Sequence, residues 1–114
     1  MSALPSGSGV AARLAPAKPK THGFLHIVRH GGGPSALYIV TYRRIDPARE
    51  AVRPKPLLAE GAQELIELLE RIGVDFHLRE VRGALEDILR LGSANIPDLW
   101  LSDEEMLEKG LVEQ

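Results

Sequence analysis

The sequence predicts a small α+β domain: a β-hairpin, then helix-strand-helix, then a short C-terminal helix, arranged as a two-layer sheet/helix sandwich. Three observations predict it. β-Branched and aromatic residues crowd two segments on either side of Gly31-Gly32-Gly33-Pro34. Apolar residues then recur at steps of three and four between Leu58 and Leu91. Near the end, Ser102-Asp103-Glu104-Glu105 has the pattern of a helix capping box.

Met1 to Thr21 is rich in Ala, Pro, Gly and Ser and lacks periodicity, which predicts a disordered tail and leaves residues 22–114 as the single domain. Gly23 to Arg29 has strand character, and Ser35 to Arg44 forms the second strand of the hairpin. With His30 opposite Ser35, one face carries Phe24, His26, Val28, Leu37, Ile39 and Thr41. The other carries Leu25, Ile27, Arg29, Ala36, Tyr38, Val40 and Tyr42. Both faces are substantially apolar. Helices on one of them leave the second to the tail, to a further element or to a partner.

Asp46-Pro47 suits the start of a helical turn, and Arg53-Pro54-Lys55-Pro56 an extended connector. Leu58, Ala62, Leu65, Ile66, Leu69 and Ile72 make one helical stripe that stops at Gly73, while Gly61 weakens its first turn. Val74-Asp75-Phe76-His77-Leu78 alternates apolar and polar residues, as a short strand does. Val81, Ala84, Leu85, Ile88 and Leu89 form the next stripe, ended by Gly92. Ser93 to Leu101, with Pro97 and the sole tryptophan, Trp100, reads as an irregular crossing. Ser102 then caps a helix stapled by Leu101 and Met106 and stopped at Gly110.

A chain of 114 residues without cysteine has no disulfide, thiol nucleophile or cysteine-ligated zinc. No apolar run approaches the ~20 residues of a membrane span. No secretory signal is evident, so a cytoplasmic protein without membrane contact is expected. Charge is lopsided: residues 1–55 hold nine Lys or Arg against Asp46 and Glu50, a balance of +7. Residues 56–114 hold five bases against fourteen acids, −9, for a net −2. The basic half nominates Arg29, Arg43, Arg44, Arg53 and Lys55 for polyanion contact. With Tyr38 and Tyr42 among them, stacking on single-stranded nucleic acid is an alternative function.

Ile27-Val28-Arg29-His30-Gly31 delivers Arg-His-Gly at the end of a strand. It resembles the start of the histidine phosphatase (phosphoglycerate mutase-like) signature. That resemblance implies phosphoryl transfer, with His30 as nucleophile and Arg29 as phosphate clamp. The family's signature continues with polar residues towards a helix, whereas Gly32-Gly33-Pro34 leads into a strand, so the reading adopted is a hairpin turn. His30-Gly31-Gly32-Gly33 resembles the oxyanion-hole motif of lipases, but no Gly-x-Ser-x-Gly accompanies it. His26 and His30 lie roughly 13 Å apart along a strand, too far to share a metal. His26 with His77 would suit acid–base cleavage of RNA if the two converged. Asp75 reads as a solvated strand residue. No catalytic residue, metal or cofactor is assigned. The expected function is a non-catalytic interaction or self-association module, with a second copy or another protein as partner. Its contacts are Leu25, Ile27, Tyr38, Val40 and Tyr42.

Overall fold

The computed structural model describes residues 20–45 and 53–113. The expected tail lies outside them except for Lys20 and Thr21, which already belong to the first strand, and so does the Asp46-Pro47 turn. Strands β1 (Lys20–His30), β2 (Leu37–Arg44) and β3 (Leu57–Glu60) form an antiparallel meander. Strand β4 (Ser93–Ser102) pairs antiparallel on the free side of β1, giving the order β3-β2-β1-β4. Helices α1 (Gly61–Ile72), α2 (Arg79–Leu91) and α3 (Asp103–Glu108) complete the described residues. The domain is the α+β sandwich that the sequence predicts, with its helices on one face of the sheet.

The hairpin closes two residues later than expected. His30 pairs with Leu37, and Gly33–Ser35 forms a single 3-10 turn inside the loop. A shift of two preserves the pleat, so the two face sets stand. Their roles are the reverse of those expected. Leu25, Ile27, Tyr38, Val40 and Tyr42 are no more than 3% exposed, and they belong to one core cluster with Leu65, Leu69 and Ile72 of α1 and Val81 and Ile88 of α2. Burying each such side chain is worth about 1.5–3 kcal/mol. The face expected to receive a partner is the core.

Several elements differ from expectation for local reasons. Leu57 to Glu60 extends the sheet instead of beginning a helix. The change to helix happens at Gly61, with φ 84°, where the Gly61 amide donates to the Ala36 carbonyl at 2.8 Å. A Cβ at Gly61 would stand 2.9 Å from the Pro34 carbonyl oxygen, so this glycine makes the turn rather than weakening a helix. Val74 to Leu78 is not a strand but a series of turns. The Val74 amide bonds back to the Leu69 carbonyl, Asp75 Oδ1 accepts from the His77 amide, and the Leu78 amide reaches the Asp75 carbonyl. These local bonds leave no extended backbone to pair.

Ser93 to Ser102, expected to be irregular, is a ten-residue edge strand. An edge tolerates Pro97 because an outward position has no ladder bond to lose. Residues Pro97 and Asp98 stand opposite Phe24 as a bulge, with Asp98 in the left-handed region at φ 57°. The stripe of α2 is narrower than expected, since Leu89 is exposed. The capping box is complete: the Glu105 amide donates to Ser102 Oγ at 3.1 Å, and the Ser102 amide donates to Glu105 Oε1 at 2.9 Å.

Candidate functional site

Side chains of the opposite parity form the open face of the sheet. None of Phe24, Val28, Leu37, Ile39 and Thr41 belongs to the core cluster. The strand register arranges this face in rows. Leu58, Ile39, Val28 and Ser93 cross from β3 to β4 as an aliphatic row. Thr41, His26 and Asn95 make a polar row beside it. Arg43 and Phe24 come next, facing the bulge. Beyond them the Ile45 amide bonds to the His22 carbonyl, and His22 pairs with Trp100. At the other end Glu60, Leu37 and His30 close the array. Leu58 is 63% exposed and Trp100 53%, high values for large apolar residues.

The aromatic end is built by the bulge. Asp98, lifted out of register, accepts a hydrogen bond from His22 Nε2 at 2.7 Å. The His22 ring stacks on Trp100 with centroids 4.4 Å apart and planes 6° from parallel. In the polar row, Asn95 Oδ1 accepts from His26 Nδ1 at 2.7 Å. The open face therefore holds its rings in place before anything docks. Among the described residues its acids, Glu60 and Asp98, lie at the margin.

The residues nominated from sequence are scattered. Leu25, Ile27, Tyr38, Val40 and Tyr42 are core and unavailable as contacts. Arg29 and His30, the candidate phosphoryl-transfer pair, alternate across the pleat. Arg29 faces the helices and donates to the Leu89 carbonyl at the end of α2, while its backbone amide bonds to the Gly92 carbonyl. His30 is exposed on the open side. The pair does not converge on one phosphate. Nor do His26 and His77, since His77 lies in the turn between α1 and α2.

Of the basic candidates, Arg44 turns to the helix side and pairs with Asp103. Arg43 lies on the open face, and Arg53 and Lys55 flank the bridge between Pro54 and Val112. Arg29, Arg43, Arg44, Arg53 and Lys55 form no single patch. Among the described residues no three His, Asp or Glu side chains gather as a metal ion requires. No described helix is long and apolar enough to cross a membrane.

Phe24, Val28, Ile39 and Trp100 are not among the contacts expected from sequence, although the sequence carries a signal for them. The face with His22, His26, His30, Thr41 and Arg43 is the more polar of the two, and in a half-covered sheet the more polar face is the one left to solvent. Trp100 was hidden because Pro97 argued against a strand. Compared with known protein families, curated proteins and solved structures, the chain has no match.

Proposed function

We propose that the protein is a non-catalytic interaction module that docks another protein surface on the open face of its sheet. One observation carries the reading: Phe24, Val28, Ile39, Leu58 and Trp100 lie on a face that no described helix covers. An aliphatic row and an aromatic end on one uncovered face, with a polar row between them, suit a contact site. A cytoplasmic setting belongs to this proposal; without cysteine the chain forms no disulfide in a reducing or an oxidising compartment. The test is a photoreactive phenylalanine analogue placed at Ile39 in the full chain, with the same analogue at exposed Glu67 as control. Irradiation in the expressing cell yields a discrete protein adduct from position 39 and none from position 67. No adduct from either position rejects the reading.

A second reading rests on the His22–Trp100 stack beside Phe24 and Arg43. Rings on an open sheet with a cation alongside suit the bases of single-stranded nucleic acid. Trp100 is the sole tryptophan, so its fluorescence reports directly. Quenching by an oligonucleotide that weakens steeply with added salt supports this alternative.

A further inference from the structure

We infer that the free edge of β4 takes an extended, basic peptide segment of another protein, which joins the sheet as an added strand. This edge is separate from the open face, so the contact does not depend on the docking reading given above. The strand ladder fixes which main-chain groups are free. The Arg29 amide donates to the Gly92 carbonyl, so in the antiparallel pattern Arg29, Ile27 and Leu25 turn their main-chain groups to β4, while Ser93 and Asn95 turn theirs outward. The Ile45 amide donates to the His22 carbonyl, so the main chain of His22 faces β2, and that of its partner Trp100 faces outward. Ser93, Asn95 and Trp100 are all exposed, and each offers one donor and one acceptor. A row of amides and carbonyls along a strand is matched by extended polypeptide, not by sugar, lipid or nucleic acid.

The opposite edge of the sheet is closed. On β3 the Gly61 amide bonds to the Ala36 carbonyl, so Leu58 and Glu60 are the residues whose main chain faces outward. The Glu60 amide is taken by Glu64 Oε1 at 2.9 Å, and Pro54 and Pro56, just before the strand, have no amide to offer. On β4 the Ser102 amide is likewise taken by Glu105 Oε1, but Ser93, Asn95 and Trp100 have no such guard. Pro97 and Asp98 bulge between Asn95 and Trp100 and bend the edge there. A second copy would bring an edge with the same rigid bend, and two such bends do not match along a common ladder. A flexible peptide follows the bend.

Side chains set the chemistry of the peptide. In an added strand, the residue opposite Trp100 stands about 5 Å away with its side chain on the same side of the sheet. The His22 ring covers one face of the Trp100 ring, and because β4 is the last strand the other face looks out past the edge. Asp98 lies two positions back on the same side, with its side chain 69% exposed and only Oδ1 engaged, by His22. A free ring face beside a carboxylate suits Arg or Lys, which stacks on the one and pairs with the other. From Ser93 to Glu108 the chain has five acids, Asp98, Asp103, Glu104, Glu105 and Glu108, and no Lys or Arg. Arg44 answers Asp103 and Lys20 answers Glu105, which leaves the edge net negative. That charge favours a basic segment over an acidic one.

The test is a nuclear magnetic resonance titration of the full, isotopically labelled chain. The probe is an acetylated and amidated octapeptide of alternating Arg and Val. The amides of Ser93, Asn95 and Trp100 are expected to shift and to gain protection from hydrogen exchange, while that of Leu58 does neither. Trp100 emission changes in step. With each Arg opposite an outward residue of β4, the Arg amides face the ladder and the Val amides face solvent. N-methylation at every Arg therefore weakens binding about tenfold or more, and N-methylation at every Val is tolerated. Glu in place of Arg weakens it about tenfold. Asp98→Asn, a residue that tolerates the left-handed backbone, stays folded by circular dichroism and weakens it about threefold. No shift of the three amides at about 1 mM peptide overturns the proposal. So does equal binding of the Arg-methylated peptide, which shows attraction by charge alone, and so do shifts confined to Val28 and Ile39 on the open face. A single-stranded oligonucleotide that moves Trp100 where the peptide does not gives the site to the nucleic-acid reading instead. The adduct from position 39 decides the open face separately.

Discussion

Tyr42 shows how one residue organises a corner of the core. Its hydroxyl lies 3.1 Å from the Thr21 carbonyl and 3.0 Å from the Leu99 carbonyl, and it donates to both in a shared bond that ties β1, β2 and β4 together. The ring needs room, and Gly23 provides it: a Cβ there would fall 2.3 Å from the Tyr42 hydroxyl oxygen. Burial pushes the phenol up to about 12, with Arg44 opposing the shift. The folded state thus keeps a proton that the unfolded chain releases near its ordinary value of about 10. This stability is fully present below about pH 10 and is lost as pH rises towards about 12, at about 1.4 kcal/mol per unit. Tyr42→Phe leaves both carbonyls without this donor and is expected to cost about 1–2 kcal/mol at neutral pH. Urea titrations at neutral and alkaline pH check both effects. The variant loses stability at neutral pH and is less sensitive than wild type across the alkaline window.

At the scale of elements, local chemistry decides where each begins and ends. The capping box fixes the start of α3, and the staple residues Leu101 and Met106 are both buried beneath it. The Glu105 carboxyl is held below the usual carboxylate range, first by the hydrogen bond from the Ser102 amide and then by Lys20 nearby. Its contribution is present above the ordinary carboxylate pKa and fades as pH falls through the lowered value. Ser102→Ala is expected to cost about 1 kcal/mol, read as a lower midpoint in thermal or urea unfolding. This cap was fully legible in sequence, because Ser102, Leu101, Glu105 and Met106 all signal it within six positions. The stops at Gly73 and Gly92 were legible for the same reason. Elements set by distant partners were not. Alternation in Val74 to Leu78 fits a strand, but turn bonds through Leu69 and Asp75 claim that backbone first. Leu57 to Glu60 becomes a strand because β2 is there to pair with it, and nothing within the segment says so.

For the whole molecule, the decisive fact is which side of the sheet the helices cover. Both face sets are legible in the sequence, since pleat parity survives a register shift of two, but parity carries no sign. The sign comes from the path after β3: the left-handed Gly61 throws α1 over the side of Tyr38 and Val40, and α2 follows it there. Arg29 reinforces the choice by holding the end of α2 through the Leu89 carbonyl. Adjacent residues of β2 therefore answer very differently to the same change. Val40→Asp puts a carboxylate among Leu25, Leu69 and Ile88 and is expected to cost about 4 kcal/mol or more, enough to unfold a domain of this size. Ile39→Asp points into solvent in a lone protomer and is expected to change unfolding free energy by about 0.5–1 kcal/mol. Urea denaturation separates the two. Equal losses at both positions, or a larger one at Ile39, place helices on the face described as open and remove the docking surface with it.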